Sequence, residues 1–302
     1  MSDNEFSLFP VVEVIPPSSP ERVAECTDCA RRLIIKIIQN EKIEGAKKGF
    51  GPGILKLLHQ EILAYYPGWA GKFRLDDDVR VGGRKMISAN HLEDHAYKFE
   101  TWLESEVDKL RMPENREDIH GALRVATAAH YAVVGELHPF DDGNGRVARI
   151  LMNGILMMNT KEGHYYNYYI FPIPMLRDQV DEEMIRKTLE QGKEPKLHPY
   201  LQALRDVDRT GVLNPFEVYI AGKWTRSIAD FLTDLETKYK KGPKDHNWKR
   251  NLNNVAAIDI VDKFIERRRR LFAFIEMNRR GEYPLDKVPD FYALKHLALN
   301  KA

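Results

Sequence analysis

The chain has 302 residues, 43% of them apolar and 30% charged. That length can bury one large domain with an appendage or two modest domains, and the composition excludes a largely disordered chain. A formal charge of +1 gives no general attraction to nucleic acid or to an anionic bilayer.

The opening, MSDNEFSLFPVVEVIPPSSPE, lacks the basic start and unbroken apolar stretch of a secretory leader. No later run approaches the ~20 apolar residues of a membrane span, so a cytoplasmic or nucleocytoplasmic protein with no membrane partner is expected. Residues 1–20 hold four prolines and read as an extended arm. Ser19 then suits an N-cap and Pro20 a first helical position, where its missing N–H costs nothing. Leu33, Ile34, Ile37 and Ile38 recur at helical spacing, which predicts a helix running to Glu44 and stopped by Gly45. Cys26 and Cys29 lie within it as C-x-x-C. Zinc would need two further ligands, and the chain has no second cysteine pair, so both are read as positions on a helix.

Gly51-Pro52-Gly53 breaks the chain, and ILKLLHQEILAYY is a second amphipathic helix ending at Pro67-Gly68. From 72 to 88 two short runs flank Gly82-Gly83, the pattern of a β-hairpin. Helical patterns resume at about 90–110 and 119–136. The run VARILMNGILMMN is apolar on most faces, which predicts a central, enclosed helix. Helices continue through the remainder with no internal repeat, so the fold class expected is all-α, mainly helical, with one small β-hairpin. In HLEDH, His91 and His95 stand four apart. Glu93 does not hold the place it has in H-E-x-x-H, so a solvated helix start is expected there.

From Arg226 onward the balance changes: residues 226–302 carry 17 Lys+Arg against 11 Asp+Glu, a balance of +6, which leaves −5 for residues 1–225. Phe264, Leu271, Phe274 and Ile275 form an apolar stripe through this basic segment. Its arginines are therefore read as a solvated face, and nucleic acid is not expected as a partner.

HPFDDGNGRVAR, residues 138–149, carries the chemistry. Asp142-Gly143-Asn144-Gly145 enters a helix, so backbone N–H groups there have no intrahelical partner and suit an anion. Glycine lets a phosphate approach the backbone closely, and the helix dipole adds about half a positive charge. Arg146 and Arg149, three apart, can hold outer phosphates, and Asp142 offers an oxygen to Mg²⁺. His138 can take a proton near neutral pH. Together these parts describe transfer of a phosphorus group from a magnesium nucleotide to a hydroxyl. No Walker loop or kinase signature is present.

The stretch resembles the signature of the Fic-domain family, H-x-F-x-(D/E)-G-N-G-R-x-x-R, with every specified position matched from His138 to Arg149. The resemblance runs from about residue 28 to 225. It takes in LKLLHQEILAYYPGWAGKFR at 55–74, with the family's A-G-x-(F/Y)-R, and PFEVYIA at 215–221. It implies a helical core with a hairpin flap that aligns a target's backbone, and transfer of AMP from ATP to a Ser, Thr or Tyr hydroxyl of a target protein. On that basis His138 is the base and Phe140 anchors the loop. Asp142 binds Mg²⁺, Gly143, Asn144 and Gly145 line the anion hole, and Arg146 and Arg149 hold the β- and γ-phosphates. Kinase-like members carry lysine where this chain has Gly145. Tyr200 stands one residue off the spacing of the family's adenine-pocket tyrosine.

The resemblance divides the chain into an arm at 1–20, a Fic domain at 21–225 with an inhibitory helix at about 26–45, and a basic helical extension at 226–302. Many members carry an inhibitory (S/T)-x-x-x-E-(G/N). Here NEKIEG places Glu44-Gly45 in that pattern with Asn40 at its first position, and Glu44 is expected to oppose Arg149. A glutamate so placed can also serve removal of AMP, so a mainly de-AMPylating enzyme and transfer of another nucleotide-derived moiety stay open as alternatives. A noncatalytic binding module has no need of both the base and the magnesium positions. The target and any homodimer are not legible.

Overall fold

The structure, a computed structural model, describes residues 20–38, 49–81, 84–115, 118–158, 199–241 and 255–289. Within these residues the chain is mainly helical with one two-stranded ribbon. Helix α1 (Pro20–Ile38) buries Ala30, Leu33, Ile34 and Ile37. Cys26 and Cys29 are free thiols on this helix, the first buried, and Arg32 donates to Cys29 Sγ at 3.1 Å. The expected continuation of α1 to Glu44 and Gly45 lies outside the described residues, as does the arm at 1–19.

Helix α2 (Ile54–Ile62) begins after Gly53, whose φ of 99° favours glycine. Its first amides are capped from far along the chain: Gly53 N–H and Leu55 N–H donate to the Glu100 carboxylate at 2.8 and 2.9 Å. Burial pushes the Glu100 carboxyl up to about 7 despite these bonds. The buried face of α2 is Ile54, Leu55, Leu58, His59 and Ile62, so a histidine sits in an otherwise apolar stripe.

Strands β1 (Arg80–Val81) and β2 (Arg84–Lys85) pair antiparallel, Arg80 opposite Lys85 and Val81 opposite Arg84. Gly82 and Gly83, expected between the two strands, lie outside the described residues. Asp77, in the segment leading into β1, caps the next helix, its Oδ1 accepting from Ser88 Oγ at 2.7 Å and Ala89 N–H at 2.6 Å. That helix, α3 (Ala89–Arg111), starts with His91 and His95, whose ring centroids lie 6.3 Å apart. Among the described residues no group of three or more His, Cys, Asp or Glu could hold a metal ion.

Helix α4 (Ile119–Tyr131) is capped by Asp118, which accepts from Gly121 N–H at 2.9 Å, and widens into a π-helical turn over Ala132–Leu137. Helix α5 (Asn144–Met158) is the enclosed one: Val147, Ala148, Leu151, Met152 and Ile155 are fully buried, and it packs against α1, α2, α3 and α4. At Gly154 a Cβ would lie 2.5 Å from Ile34, so only glycine lets α1 come this close. The Cys26 thiol meets the Tyr65 backbone, and Tyr65 OH meets Arg146 near the start of α5.

Helices α6 (Pro199–Thr210), α7 (Asn214–Lys241) and α8 (Val255–Arg279) complete the described elements. The expected boundary at 225/226 falls inside α7, which continues through it without a break. The stripe Phe264, Leu271, Phe274 and Ile275 on α8 is buried as predicted, and α8 packs on α7 and α4. Asn214 ties the region after α8 to the start of α7: its Nδ2 donates to Asn278 Oδ1 and the Pro284 carbonyl, and its Oδ1 accepts from Asp286 N–H at 2.7 Å. Arg269 and Arg270 pair with Glu266, and Arg279 with Glu276. No described helix is long and apolar enough to cross a membrane.

Candidate active site

The site is built where the π turn ends. His138 takes φ 41° and ψ 59° and is the only non-glycine residue at positive φ among those described. Such a conformation strains a side-chain-bearing residue and persists only where its surroundings hold it. Its N–H donates to the Val133 carbonyl at 3.0 Å, which closes the wide turn. Its Nδ1 lies 3.2 Å from the Val134 carbonyl. A carbonyl only accepts, so the proton sits on Nδ1 and Nε2 is the basic nitrogen. Burial holds the imidazole below its usual range, the Arg74 charge adds to this, and the Val134 bond works against both. His138 is therefore neutral at pH 7, as a general base must be.

Arg74 holds this conformation from behind and is only 1% exposed. Its Nε donates to the His138 carbonyl at 2.8 Å, Nη1 to the Asp76 carbonyl, and Nη2 to the Ile87 carbonyl and, at 3.5 Å, to that of Leu137. Its own N–H donates to the Pro139 carbonyl at 2.9 Å. One guanidinium thus joins the base of the hairpin to the loop that carries His138.

The loop from Pro139 to Gly143 is pinned by buried groups. Phe140 is fully buried and stacks on His59 at 3.7 Å between centroids with planes 4° apart. Asn144 brackets Phe140, accepting from its N–H at 3.0 Å and donating to its carbonyl at 2.6 Å. The Asn144 side chain therefore braces the loop from inside, and what it offers an anion is its backbone. His59 Nδ1 accepts from Gly71 N–H at 3.0 Å, which leaves the proton on Nε2, donated to the Asp142 carbonyl at 3.0 Å. Burial first, then the Arg146 charge, lowers His59 to about 4.

On the outer side, the Asp142 carboxylate accepts from its neighbour Gly143 N–H at 2.6 Å and from Arg146 Nη2 at 2.6 Å. Tyr65 OH accepts from Arg146 Nη1 at 3.0 Å. Gly143 has φ 83°, and a Cβ there would lie 3.2 Å from the His59 ring. A Cβ on Gly145 would lie 3.1 Å from Arg149 Nη1, so that guanidinium lies over the glycine. The loop thus gathers His138, Asp142, Gly143, Gly145, Arg146 and Arg149 at one end of α5, while Glu44 lies outside the described residues. Asp142, its side chain 59% exposed, suits a Mg²⁺ that takes one carboxylate and phosphate oxygens. Tyr200 belongs to an aromatic cluster with His130, Phe216 and Tyr219, at 5.7–6.0 Å between centroids.

Sequence reasoning assigns no role to His59, Arg74 or Tyr65, although all three lie in the quoted 55–74 stretch. For His59 a signal exists, a polar residue on the apolar stripe of an amphipathic helix. For Arg74 the signal is its place at the end of the A-G-x-(F/Y)-R stretch, which does not name its partners, because these are carbonyls set by the fold.

Residues 50–156 match the model of the Fic/DOC family, a shorter span than the 28–225 of the resemblance. A protein adenylyltransferase Fic from Culex quinquefasciatus is 34% identical over 119 residues, 37% of this chain and 22% of that relative. Proteins of the same name from Drosophila willistoni and Drosophila melanogaster are each 39% identical over 101 residues, 33% of this chain and 18% of each relative. The chain thus spans about a fifth of the length of the curated relatives it matches. Residues 50–156, which contain the whole His138–Arg149 loop, are thus the part of this chain that is similar to the Fic/DOC family.

Proposed function

We propose that this chain is a protein adenylyltransferase that moves AMP from ATP to a Ser, Thr or Tyr hydroxyl of a target protein. One observation carries the reading: Gly143 N–H and the Arg146 guanidinium converge on a single carboxylate, each at 2.6 Å, in the loop that begins with His138. Two donors that converge on one oxyanion suit a phosphate equally well. A phosphate held by them releases Asp142 for Mg²⁺, which supplies neutralisation of phosphate charge.

In the step proposed, the target hydroxyl oxygen attacks the α-phosphorus while its proton passes to His138 Nε2. A new P–O bond forms, the bond from the α-phosphorus to the bridging oxygen breaks, and pyrophosphate leaves with the electron pair. Arg146 and Arg149 hold the departing phosphates, Gly143 and Gly145 amides face the transferring group, and Tyr200 with its aromatic neighbours is the candidate contact for adenine.

ATP labelled at the α or the γ position, followed by mass spectrometry of the protein, tests this. Label from the α position alone, lost in His138→Ala, is expected. Label from the γ position means phosphoryl transfer, and label only from another donor displaces ATP; either outcome overturns the proposal. Restraint by Glu44 is a separate proposal. It rests on the place of Glu44 in the NEKIEG pattern, six positions after the last described residue of α1. Under it Glu44→Gly raises self-labelling, and a flat response removes both the restraint and a de-AMPylating role for Glu44.

A further inference from the structure

We propose that His59 is a positioning residue of this site, setting which way the Asp142–Gly143 peptide faces; the inference rests on the transferase reading above. In a trans peptide the C=O and the N–H point in opposite directions. His59 Nε2–H holds the Asp142 carbonyl inward at 3.0 Å, and the Gly143 N–H accordingly faces outward, where it meets a carboxylate at 2.6 Å. Gly143 has no Cβ to resist rotation of that peptide. Turned over, the same peptide presents a carbonyl oxygen to a phosphate, and an attractive contact becomes a repulsive one.

The imidazole is itself fixed on three sides. Gly71 N–H donates to Nδ1 at 3.0 Å, which compels the Nε2–H form. Phe140 lies flat against the ring at 3.7 Å, and Gly143 Cα packs so closely that a Cβ would stand 3.2 Å from it. Only 1% of His59 is exposed, so water cannot substitute for either bond. A protonated ring would turn a second N–H against Gly71, and the depressed basicity of the buried ring keeps it neutral.

His59 touches neither nucleotide nor target, so its effect falls on the amide that meets charge in the transition state, while the two arginines continue to hold ATP. His59→Phe keeps the ring stack and removes both hydrogen bonds. His59→Gln keeps an N–H donor that reaches the Asp142 carbonyl. Loss of an oriented amide donor of this kind costs on the order of ten- to a hundredfold in rate. The phenylalanine variant should therefore lose that much kcat with KM for ATP changed less than about threefold. The glutamine variant should recover most of the loss.

Backbone amide spectra supply a readout that does not need turnover. In wild type and His59→Gln the Gly143 amide should shift on addition of ATP, and in His59→Phe that shift should be lost. Gly71, deprived of its Nδ1 acceptor, should move in both variants. Wild-type kcat in His59→Phe, a loss that glutamine does not restore, or a Gly143 amide that responds to ATP alike in all three proteins would each overturn the inference. If wild type transfers no AMP, the transferase reading fails and the amide comparison still decides the role of His59. If the phenylalanine variant does not fold, glutamine decides alone: its Gly71 amide must differ from wild type while its Gly143 amide still shifts on ATP as wild type does, and a Gly143 amide that no longer responds would overturn the inference.

Discussion

Replacement of Arg74 by methionine tests whether one buried guanidinium holds the loop in its strained form. The side chain is 1% exposed and donates to carbonyls of Asp76, Ile87, His138 and Leu137. Asp76 is exposed and Ile87 half-buried, so water can reach those two carbonyls when the guanidinium is gone. The His138 carbonyl is half-buried too, while that of Leu137 lies inside, and a buried acceptor left without its donor costs about 1–3 kcal/mol. The expected destabilisation is about 1–3 kcal/mol, or a fall in Tm of roughly 3–10 °C for a domain of this size. Lysine offers donors from a single point and cannot reach carbonyls spread around a planar fork, so Arg74→Lys should recover less than half. Thermal denaturation gives the stability, and labelling measured well below Tm gives the function. Labelling should fall at least tenfold, because the φ of 41° at His138 loses the bond that holds its carbonyl. A methionine variant that melts within 2 °C of wild type and labels normally would show that the loop keeps its shape without Arg74.

Three further outcomes are expected. His138 lies below the usual histidine range, so the labelling rate should rise with pH and pass half its plateau below the ordinary histidine value; a half-maximal rate above pH 7 would point to another base. Gly143→Ala should destabilise by about 1–3 kcal/mol, because φ 83° is strained for alanine and the Cβ meets the stacked His59 ring at 3.2 Å. Gly53→Ala, at φ 99° with no atom within 4 Å, carries the strain alone, and urea denaturation should rank the two in that order. Glu217, 1% exposed and facing Asp286 and Arg124, is pushed by burial up to about 8. The folded protein then binds the extra proton between the ordinary carboxylate range and pH 8, so this group's contribution to stability is lost as pH rises through 8. Glu217→Gln should match wild type near pH 5 and exceed it in Tm above pH 8; a constant difference across that range would contradict the assignment.

The loop was legible in the sequence because its chemistry is local. An imidazole, a carboxylate, two glycines and two arginines at fixed steps across the start of a helix are near neighbours in sequence, so spacing alone brings them together, and α5 follows from an apolar pattern on most faces. The helices, the ribbon and the buried stripe of α8 were legible for the same reason, since periods of 3.6 and 2 are properties of neighbouring residues. At the 225/226 boundary that the sequence suggested, the charge balance changes while the helix runs on, because a change in the charge of exposed residues does not end a helix whose other face is buried. Only the tertiary structure decided which groups hold the loop. His59 reaches Asp142 across 83 positions and Arg74 reaches His138 across 64, and neither partner is a side chain that a motif could name. Both bind backbone carbonyls, which every residue possesses. Their selection depends on where packing leaves an acceptor without a donor, and that becomes defined only once α2, the hairpin base and the π turn have come together.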